Sequence, residues 1–433
     1  MTASDRSLPI NLFIACLLLP AGVFAAGKRE VNPILAAPAR ETIALVGARL
    51  IDGRGNEPVA DSVVVVRGGR ILAAGPRAQV NIPANATRVD AARLTVLPGL
   101  VDSHLHTKIP TKTARMFLLN GVTAFRDPGH PFQYYESVGT ATEPLPRIFL
   151  TGSHLDASPP AWPDQARLIA DATDARKAVH EHLERGASAI KIYFRLPLEH
   201  IRVVCAAAHE RDVIVTAHLE LVDAAAAINA GVDGIEHITS FGLNLASDDA
   251  ADRFRATVSA DPKSRTLERF KLWENIDLDD AGKTRPLLEL LARKRTVISP
   301  TLGIFEARPG GKNGTQTHVR AFENILRFVG MCHRAGVPFA VGSHTSVPHA
   351  KTGWAYQREL ELFVEAGFSP LAALQAATLG TARFLGAEDR LGTIEPNKAA
   401  DLVLVSGNPA ADIRAMYDIK GVMLNGVWVR PLE

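Results

Sequence analysis

The chain has few cysteines, no excess of charge of one sign and no long uninterrupted hydrophobic run. Its 433 residues include only three cysteines, so a framework of disulfide bonds is not indicated. The 48 basic residues nearly balance the 46 acidic ones, and the net charge of +2 gives no indication of a basic surface for nucleic acid. We therefore set aside nucleic-acid binding and a small disulfide-stabilised fold.

The apolar segment near the N-terminus, residues 8–24, is interrupted by Asn11 and Pro20. It ends in small residues around Ala25, which is typical of a secretory signal peptide and too short and interrupted for a stable membrane span. The sequence therefore predicts a signal peptide over residues 1–26 and export to the periplasm or out of the cell.

None of the three cysteines predicts a function. Cys16 loosely resembles a lipoprotein cleavage box, but the apolar run continues beyond it, so lipidation at Cys16 is the less favoured interpretation. Cys205 and Cys332 lie in partly apolar helical segments, where cysteines are usually buried free thiols.

The hydrophobic content of 47% is enough for one large domain with a smaller second domain. Both ends are β-like, and we expect residues 41–96 and 386–433 to pair into one small β-sandwich. Residues 97–385 alternate short apolar strands with helical stretches, and the eight strand candidates predict an α/β fold with a (β/α)8 barrel. The long charged segment 241–285 is predicted to be an insertion over the barrel mouth, where it would act as a lid.

Two histidines with one residue between them end the first barrel strand. His104 and His106 belong to the run LPGLVDSHLHT, and residues i and i+2 of a strand point to the same face. Both imidazoles would therefore project from the strand end where barrel enzymes place catalytic residues. The pair is half of a metal site.

Five of the eight strand candidates carry a potential ligand at or near the C-terminal end, and these ends face one mouth in a barrel. Imidazole nitrogen is a good ligand for zinc and similar ions, and such an ion lowers the pKa of its bound water to about 7. As a set, these residues predict a metal site: His104, His106, Lys191, His218, His237 and His344.

Lysine needs separate treatment, because an ammonium beside a cation would be repelled. Lys191 would have to be neutral, or converted by carbon dioxide into a carbamate whose oxygens can bridge two metals. Taken singly, Lys191 is more often a side chain that extends toward solvent, and His218 and His237 are more often core histidines with their hydrogen bonds satisfied. The prediction therefore rests on the set.

These motifs resemble those of the amidohydrolase superfamily. LPGLVDSHLHT, IKIY, TAHLE, GIEHI and RLGTIEPNKAADLVLVSGNP are similar to the branch with imidazolonepropionase-like and Xaa-Pro dipeptidase-like enzymes, over about residues 42–429. The resemblance implies a distorted TIM barrel with a composite β-sandwich from both termini, and hydrolysis of amide-type bonds at one or two divalent metals. By the family's motifs, His104 and His106 bind the more buried metal, a Lys191 carbamate bridges, and His218 and His237 hold the second metal.

The sequence departs from the family after the eighth strand. Most members have an aspartate there, in a G-T-D-like motif, which ligates metal and moves a proton; this chain has His344, in the run GSHT. Either His344 performs the acid–base work itself, or the lost negative charge favours one metal or another chemistry. We favour a catalytic role for His344.

Other residues near the mouth are weaker candidates. In similar dipeptidase-like enzymes, the tyrosine matching Tyr193 contacts substrate, and His154 matches a loop histidine of the same branch, so both are predicted to bind substrate. Arg126 and Asp127 end the second barrel strand, and a structural ion pair there is favoured at least as much as a catalytic role. Two further histidines, His130 and His349, are weak candidates in loops. Three others are interpreted as surface residues: His180, His182 and His200.

The primary hypothesis is an exported hydrolase, dependent on Zn²⁺ or a similar divalent ion, which cleaves an amide bond in a small molecule such as an N-acyl amino acid or dipeptide. One alternative is a barrel protein that binds its ligand and has lost turnover at His344. Another is a cyclic amide or ester hydrolase in the same pocket. No nucleic acid and no stable membrane span are expected, and assembly into a homo-oligomer stays open.

Overall fold

The computed structural model describes residues 41–311 and 314–432. The predicted signal peptide, residues 1–26, and Cys16 lie outside the described residues. Within the described part of the chain, every helix is too short or too polar to cross a membrane.

Strands and helices alternate through the middle of the chain, and strands predominate at both ends. The strands are β1 (Thr42–Leu50), β2 (Val59–Arg67), β3 (Arg70–Pro76), β4 (Thr87–Asp90), β5 (Leu94–Pro98), β6 (Leu100–Asp102), β7 (Val122–Asp127), β8 (Arg147–Leu150), β9 (His154–Asp156), β10 (Ala166–Leu168), β11 (Ile190–Ile192), β12 (Val215–Ala217), β13 (Gly234–Glu236), β14 (Val297–Ser299), β15 (Leu402–Ser406), β16 (Ile419–Leu424) and β17 (Val427–Arg430). The α-helices are α1 (Pro110–Leu119), α2 (Ala172–Glu184), α3 (Leu198–His209), α4 (Ala224–Asn229), α5 (Gly242–Leu245), α6 (Asp248–Ala260), α7 (Arg265–Glu274), α8 (Ala281–Lys294), α9 (Leu302–Phe305), α10 (Gln316–Arg334), α11 (Ala355–Glu365), α12 (Pro370–Gln375) and α13 (Thr381–Phe384).

Strands from both ends of the chain form one eight-stranded sheet. Its order is β17-β16-β15-β5-β1-β2-β3, with β4 paired to β1. The β2–β3 hairpin turns at Gly68 and Gly69, which both have positive φ. Strand β5 pairs with β1 on one side and with β15 on the other, and β6 follows it almost directly. The sheet therefore anchors the start of the strand that leads to His104.

The barrel strands are parallel and fall into two hydrogen-bonded groups, β6-β7-β8 and β10-β9-β11-β12-β13-β14. Between β8 and β11, the Ser188 amide donates to the Leu150 carbonyl at 2.8 Å. On the opposite side, residues 337–343 lie between β14 and β6, and the Ser103 amide donates to the Val341 carbonyl at 2.8 Å. The carboxyl ends of these strands therefore meet at one mouth.

The eighth barrel strand is less regular than the sequence predicts. Its segment forms only an isolated parallel bridge, between Phe339 and Ile298. The Val341 amide donates to the Thr381 hydroxyl, and the Ser343 amide donates to the Asp102 carboxylate, at 2.9 and 3.1 Å. Because side chains accept these amide hydrogens, the segment is held in place without a continuous strand ladder.

Strand β9 was not among the sequence predictions, because a three-residue strand is too short to show a periodic pattern. It pairs with β10, and Leu155 pairs with Ile192 of β11. This pairing places His154 beside the strand that carries Lys191.

His182 is buried, so its interpretation as a surface residue is wrong. Its two ring nitrogens lie 2.8 Å from the carbonyl oxygens of Ala178 and Ser153. Helix α2 buries Ala175, Ala178, Val179 and Leu183 on the same face. The i, i+3, i+4 and i+7 spacing that puts His182 on this face is visible in the sequence.

Candidate metal centre

The predicted site residues line one cavity at the carboxyl ends of the barrel strands. The cavity has a volume of about 830 Å³. Its lining includes all eight side chains to which the sequence assigned a role: His104, His106, His154, Lys191, Tyr193, His218, His237 and His344. The fold therefore brings together residues that are up to 240 positions apart in the chain, counted from His104 to His344.

The His104 and His106 rings are perpendicular, with an interplanar angle of 87°, and bring two ring nitrogens together in an arrangement that favours a cation. His104 Nδ1 donates to a carboxylate oxygen of Glu236 at 2.7 Å, and His106 Nδ1 lies 3.4 Å from a carboxylate oxygen of Asp127. If each Nδ1 carries the ring proton, each Nε2 has a lone pair. These two Nε2 atoms are 3.1 Å apart. Two lone pairs at this distance repel each other unless a positive charge lies between or beside them.

His344 belongs to the same donor group. One ring nitrogen of His344 lies within 4.8 Å of ring nitrogens of His104 and His106, close enough for all three to hold one ion. His344 and Thr345 both have positive φ, 58° and 77°, a region that side chains with a Cβ rarely adopt. Burial and the neighbouring His106 and His104 lower the pKa of His344 well below 6.5, so the ring is neutral near pH 7.

His218 and His237 lie beside this group. Their ring centroids are 4.5 Å apart, and the His237 and His104 centroids are 4.6 Å apart. His218 Nε2 contacts Glu220 at 3.1 Å, which leaves a buried Nδ1 with no hydrogen-bond partner among residues 41–311 and 314–432. His237 Nδ1 lies 2.6 Å from the Thr301 hydroxyl. Neither histidine belongs to a group of three close donor atoms within those residues.

Lys191 is buried in the cavity wall. Its Nζ atom is 3.9 Å from a carboxylate oxygen of Glu236 and has no hydrogen-bond partner in the described part of the chain. Burial lowers the pKa of Lys191 to about 7, although the Glu236 charge opposes the shift. A substantial fraction of this side chain is therefore a neutral amine near neutral pH.

Glu236 is a central residue of the site that the sequence interpretation missed. It is fully buried, and one oxygen accepts from His104 Nδ1 while the other accepts from the Arg126 guanidinium. Burial alone would raise its pKa, but Lys191, Arg126 and His104 hold the pKa well below 4.5. The available indication was an acidic residue in a short buried strand directly before His237.

The predicted ion pair between Arg126 and Asp127 is wrong, because the two side chains alternate along β7 and point to opposite faces. Arg126 pairs with Glu236, and Asp127 contacts His106 and lies 2.7 Å from His130 Nδ1. Burial opposes ionisation of Asp127, yet the His106 and His130 contacts hold its pKa well below 3.8. Asp127 thus orients the His106 ring as Glu236 orients the His104 ring.

The two residues predicted to bind substrate lie together. The ring centroids of Tyr193 and His154 are 4.4 Å apart, and Trp162 Nε1 donates to the Tyr193 hydroxyl at 3.0 Å. His154 Nε2 is buried and lacks a hydrogen-bond partner among the described residues. Burial, followed by the effect of Lys191, lowers the pKa of His154 to about 3, so it is a neutral donor or acceptor.

Other candidates divide into those near the cavity and those away from it. His130 lines the cavity and stacks on Tyr134, so it is nearer the site than the sequence indicated. The segment 241–285 contributes the start of helix α7 to the lining, with Arg265, Thr266, Arg269 and Phe270. Away from the cavity lining are His180, His200 and His349.

The donor set fits a divalent ion of the zinc type. Such ions take neutral imidazole nitrogens, and the ligand rings are held by carboxylates that accept the other ring N–H. The facing Nε2 atoms and the buried, unpartnered His218 Nδ1 are the observations that support this fit.

A parallel α/β barrel with a histidine cluster at its mouth defines the class of barrel hydrolases that hold metal at the strand ends. The model of the amidohydrolase family matches residues 95–429. The chain belongs to the amidohydrolase family, and the predicted fold class and the prediction of an amidohydrolase are confirmed.

Solved structures with the same fold cover nearly the whole chain. One, provisionally assigned as a prolidase from Bifidobacterium longum, is 26% identical with a TM-score of 0.68, over 91% of this chain and 96% of that one. A Xaa-Pro dipeptidase with methionine bound in its active site has a TM-score of 0.68 at 22% identity, over 90% and 99%. At 22% identity, the likeness to the Xaa-Pro dipeptidase shows only that the two proteins share a fold.

Sequence relatives differ in how much they cover. A 5-methylthioadenosine/S-adenosylhomocysteine deaminase from Symbiobacterium thermophilum is 24% identical over 421 residues, covering 84% of this chain and 85% of the deaminase. An N-acyl-D-aspartate deacylase from Alcaligenes xylosoxydans xylosoxydans is 42% identical over 71 residues. That alignment covers 16% of this chain and only 13% of the deacylase, so the chain matches a small part of that relative's length.

Proposed function

We propose that this chain hydrolyses an amide bond of a small molecule, such as an N-acyl amino acid or a dipeptide, with a divalent ion at the cavity described above. The observation that carries the proposal is the 3.1 Å approach of the His104 and His106 Nε2 atoms, each on a ring whose other nitrogen faces a buried carboxylate. The likeness to the structure assigned as a prolidase and the local similarity to an N-acyl-D-aspartate deacylase support an amide substrate.

His104, His106 and His344 would hold the ion, which we propose to be zinc or a similar metal. When bound, it supplies Lewis acidity, which makes a water acidic near pH 7 and polarises the substrate carbonyl. Glu236 and Asp127 keep the His104 and His106 rings in the orientation that presents Nε2 to the cavity. Tyr193 and His154 would contact the substrate.

A second ion would be held by His218 and His237, with Lys191 as a bridging carbamate. The neutral amine of Lys191 would attack carbon dioxide, form an N–C bond and release one proton. The pKa of about 7 and the lack of a hydrogen-bond partner at Nζ among the described residues favour this reaction.

A second candidate function is hydrolysis of a carbon–nitrogen bond in a cyclic substrate at the same centre. The alignment with a deaminase over 84% of this chain favours it. We also propose export, on the sequence of residues 1–26 alone.

Removal of metal tests the proposal. Dialysis against a chelator is expected to lower amide hydrolysis by about tenfold or more, because the proposed chemistry needs a Lewis acid. Addition of Zn²⁺ or Mn²⁺ with bicarbonate should restore it. The measurement is hydrolysis of a panel of N-acyl amino acids, dipeptides and cyclic amides, with metal content measured on the same samples. Full activity in metal-free protein would contradict the proposal.

Metal content also separates the two roles of His344. If His344 is a ligand, His344→Ala should lose bound metal along with activity. If His344 is the proton acceptor, the variant should keep its metal and lose about 100-fold or more in kcat. The position of His344 among the ring nitrogens of His104 and His106 and its low pKa favour the ligand role, in place of the catalytic role that the sequence favoured. His344→Asp is the companion variant, and a large gain of hydrolysis in it would indicate that the wild type is a barrel protein with lapsed turnover.

A further inference from the structure

Two arginines of the cavity lining, both on helix α7, share the buried carboxylate of Glu220. Arg265 Nη1 lies 3.6 Å and Arg269 Nη2 lies 3.2 Å from the same oxygen of Glu220. The exposed fractions of the two arginine side chains are 10% and 12%, and that of Glu220 is 2%. The other Glu220 oxygen is buried and lacks a hydrogen-bond partner within residues 41–311 and 314–432. Two guanidinium groups therefore meet one carboxylate, and one positive charge is left over.

The hydrogen bonds of these arginines leave donors for a ligand. Each guanidinium carries five N–H donors. Arg269 Nε donates to the Arg265 carbonyl at 3.0 Å. Arg265 hydrogen-bonds to the Tyr193 side chain, and its guanidinium lies over the rings of Phe194 and Tyr193, at 5.3 and 5.7 Å from their centroids. These contacts use only part of the five donors of each guanidinium. The Asp156 carboxyl group also interacts electrostatically with Arg265. Its Oδ1 atom accepts hydrogen bonds from the backbone N–H groups of Ala157 and Arg195, and not from the Arg265 guanidinium.

The arginines are close to the proposed metal centre. Glu220, which both arginines contact, also contacts His218 Nε2 at 3.1 Å. Tyr193 lies between Arg265 and His218, and its ring centroid is 4.9 Å from that of His218. A negative group bound by the arginines would therefore lie only a few bonds from a scissile group at the histidines.

We propose that Arg265 and Arg269 form an anion subsite that binds a carboxylate next to the scissile bond, so that the substrate is an acylated α-amino acid or a dipeptide with a free carboxyl terminus. The excess positive charge is nearly buried, where a carboxylate that pairs with guanidinium N–H groups gains most. The cavity wall beside Arg269 is apolar, with Phe270, Ile304 and Phe305 in the lining, and suits an apolar side chain or acyl group. This inference rests on the proposed function for the identity of the scissile bond.

Binding of a matched pair of ligands tests the subsite without turnover. The ligands are an isostere of N-acetyl-phenylalanine, in which a methylene replaces the amide nitrogen and prevents hydrolysis, and the carboxamide of that isostere. By calorimetry on the metal-loaded protein, the carboxylate should bind about 10- to 100-fold more tightly than the carboxamide, as expected for a hydrogen-bonded ion pair. Arg265→Gln and Arg269→Gln should each lower the ratio of the two affinities about tenfold. Arg269→Lys keeps the positive charge but lacks the planar pair of N–H donors, and should give an intermediate ratio.

Arg253→Gln is the matched control, because Arg253 is exposed on the neighbouring helix α6 and is absent from the cavity lining. It should keep the wild-type ratio, and thermal unfolding establishes that each variant is folded. Equal binding of carboxylate and carboxamide by the wild type would overturn the inference, as would an unchanged ratio in both glutamine variants. If the carboxylate is preferred but no amide is hydrolysed, the proposed function fails and the subsite stands. If amides are hydrolysed without preference for a carboxylate, the subsite fails and the proposed function stands.

Discussion

His104→Ala is expected to remove bound metal and to lower kcat/KM for amide hydrolysis by about 1000-fold or more, since a metal ion stabilises the transition state by several kcal/mol. The loss should exceed that of an ordinary cavity mutation, because His104 combines three roles. It offers Nε2 to the proposed ion, and its ring contacts the rings of His106 and His237. Its Nδ1 also donates a hydrogen bond to the buried Glu236 carboxylate. Metal content and steady-state kinetics on the same preparation are the measurements.

The control is a histidine outside the cavity. His209→Ala removes an exposed ring at the end of α3, where it contacts Asp233, and should leave metal content and kcat/KM unchanged. If His104→Ala folds, keeps stoichiometric metal and keeps its activity, the centre described above is not where hydrolysis takes place.

The set of cavity residues was predictable because one geometric rule covers it. Side chains at the carboxyl ends of parallel strands reach one mouth, so local strand patterns around His104, Lys191, His218 and His237 suffice, even though the strands are far apart in sequence. The composite sheet from both termini was visible as two β-like ends. Neither inference needs knowledge of which side chains touch.

Contacts between distant side chains were not predictable in this way. Arg126 is adjacent to Asp127 in sequence, and an ion pair between them was a natural interpretation, but alternation along β7 directs Arg126 to Glu236, 110 residues away. The Arg265 and Arg269 contacts with Glu220 depend on how α7 lies against the mouth. The irregular eighth strand depends on hydroxyl and carboxylate acceptors from Thr381 and Asp102. A single sequence does not contain these pairings.

Glu236→Gln is expected to cost about 3 to 5 kcal/mol in the free energy of unfolding, because it leaves the fully buried Arg126 without its counter-charge. It should also weaken metal binding by about 10- to 100-fold, because the amide no longer fixes the tautomer and orientation of the His104 ring. Chemical denaturation and metal titration are the two measurements.

A double variant and a control pair separate the two effects. Glu236→Leu combined with Arg126→Met removes both buried charges, so stability should recover to a large extent, as buried pairs replaced by apolar residues often do. Metal affinity should stay low, because His104 Nδ1 still lacks its acceptor. Asp401→Asn breaks another buried pair, with Arg147 in a part of the fold away from the cavity, and should lower stability without weakening metal binding. If the double variant recovered metal affinity together with stability, Glu236 would act only through folding, and the orientation of His104 would have to be set by another group.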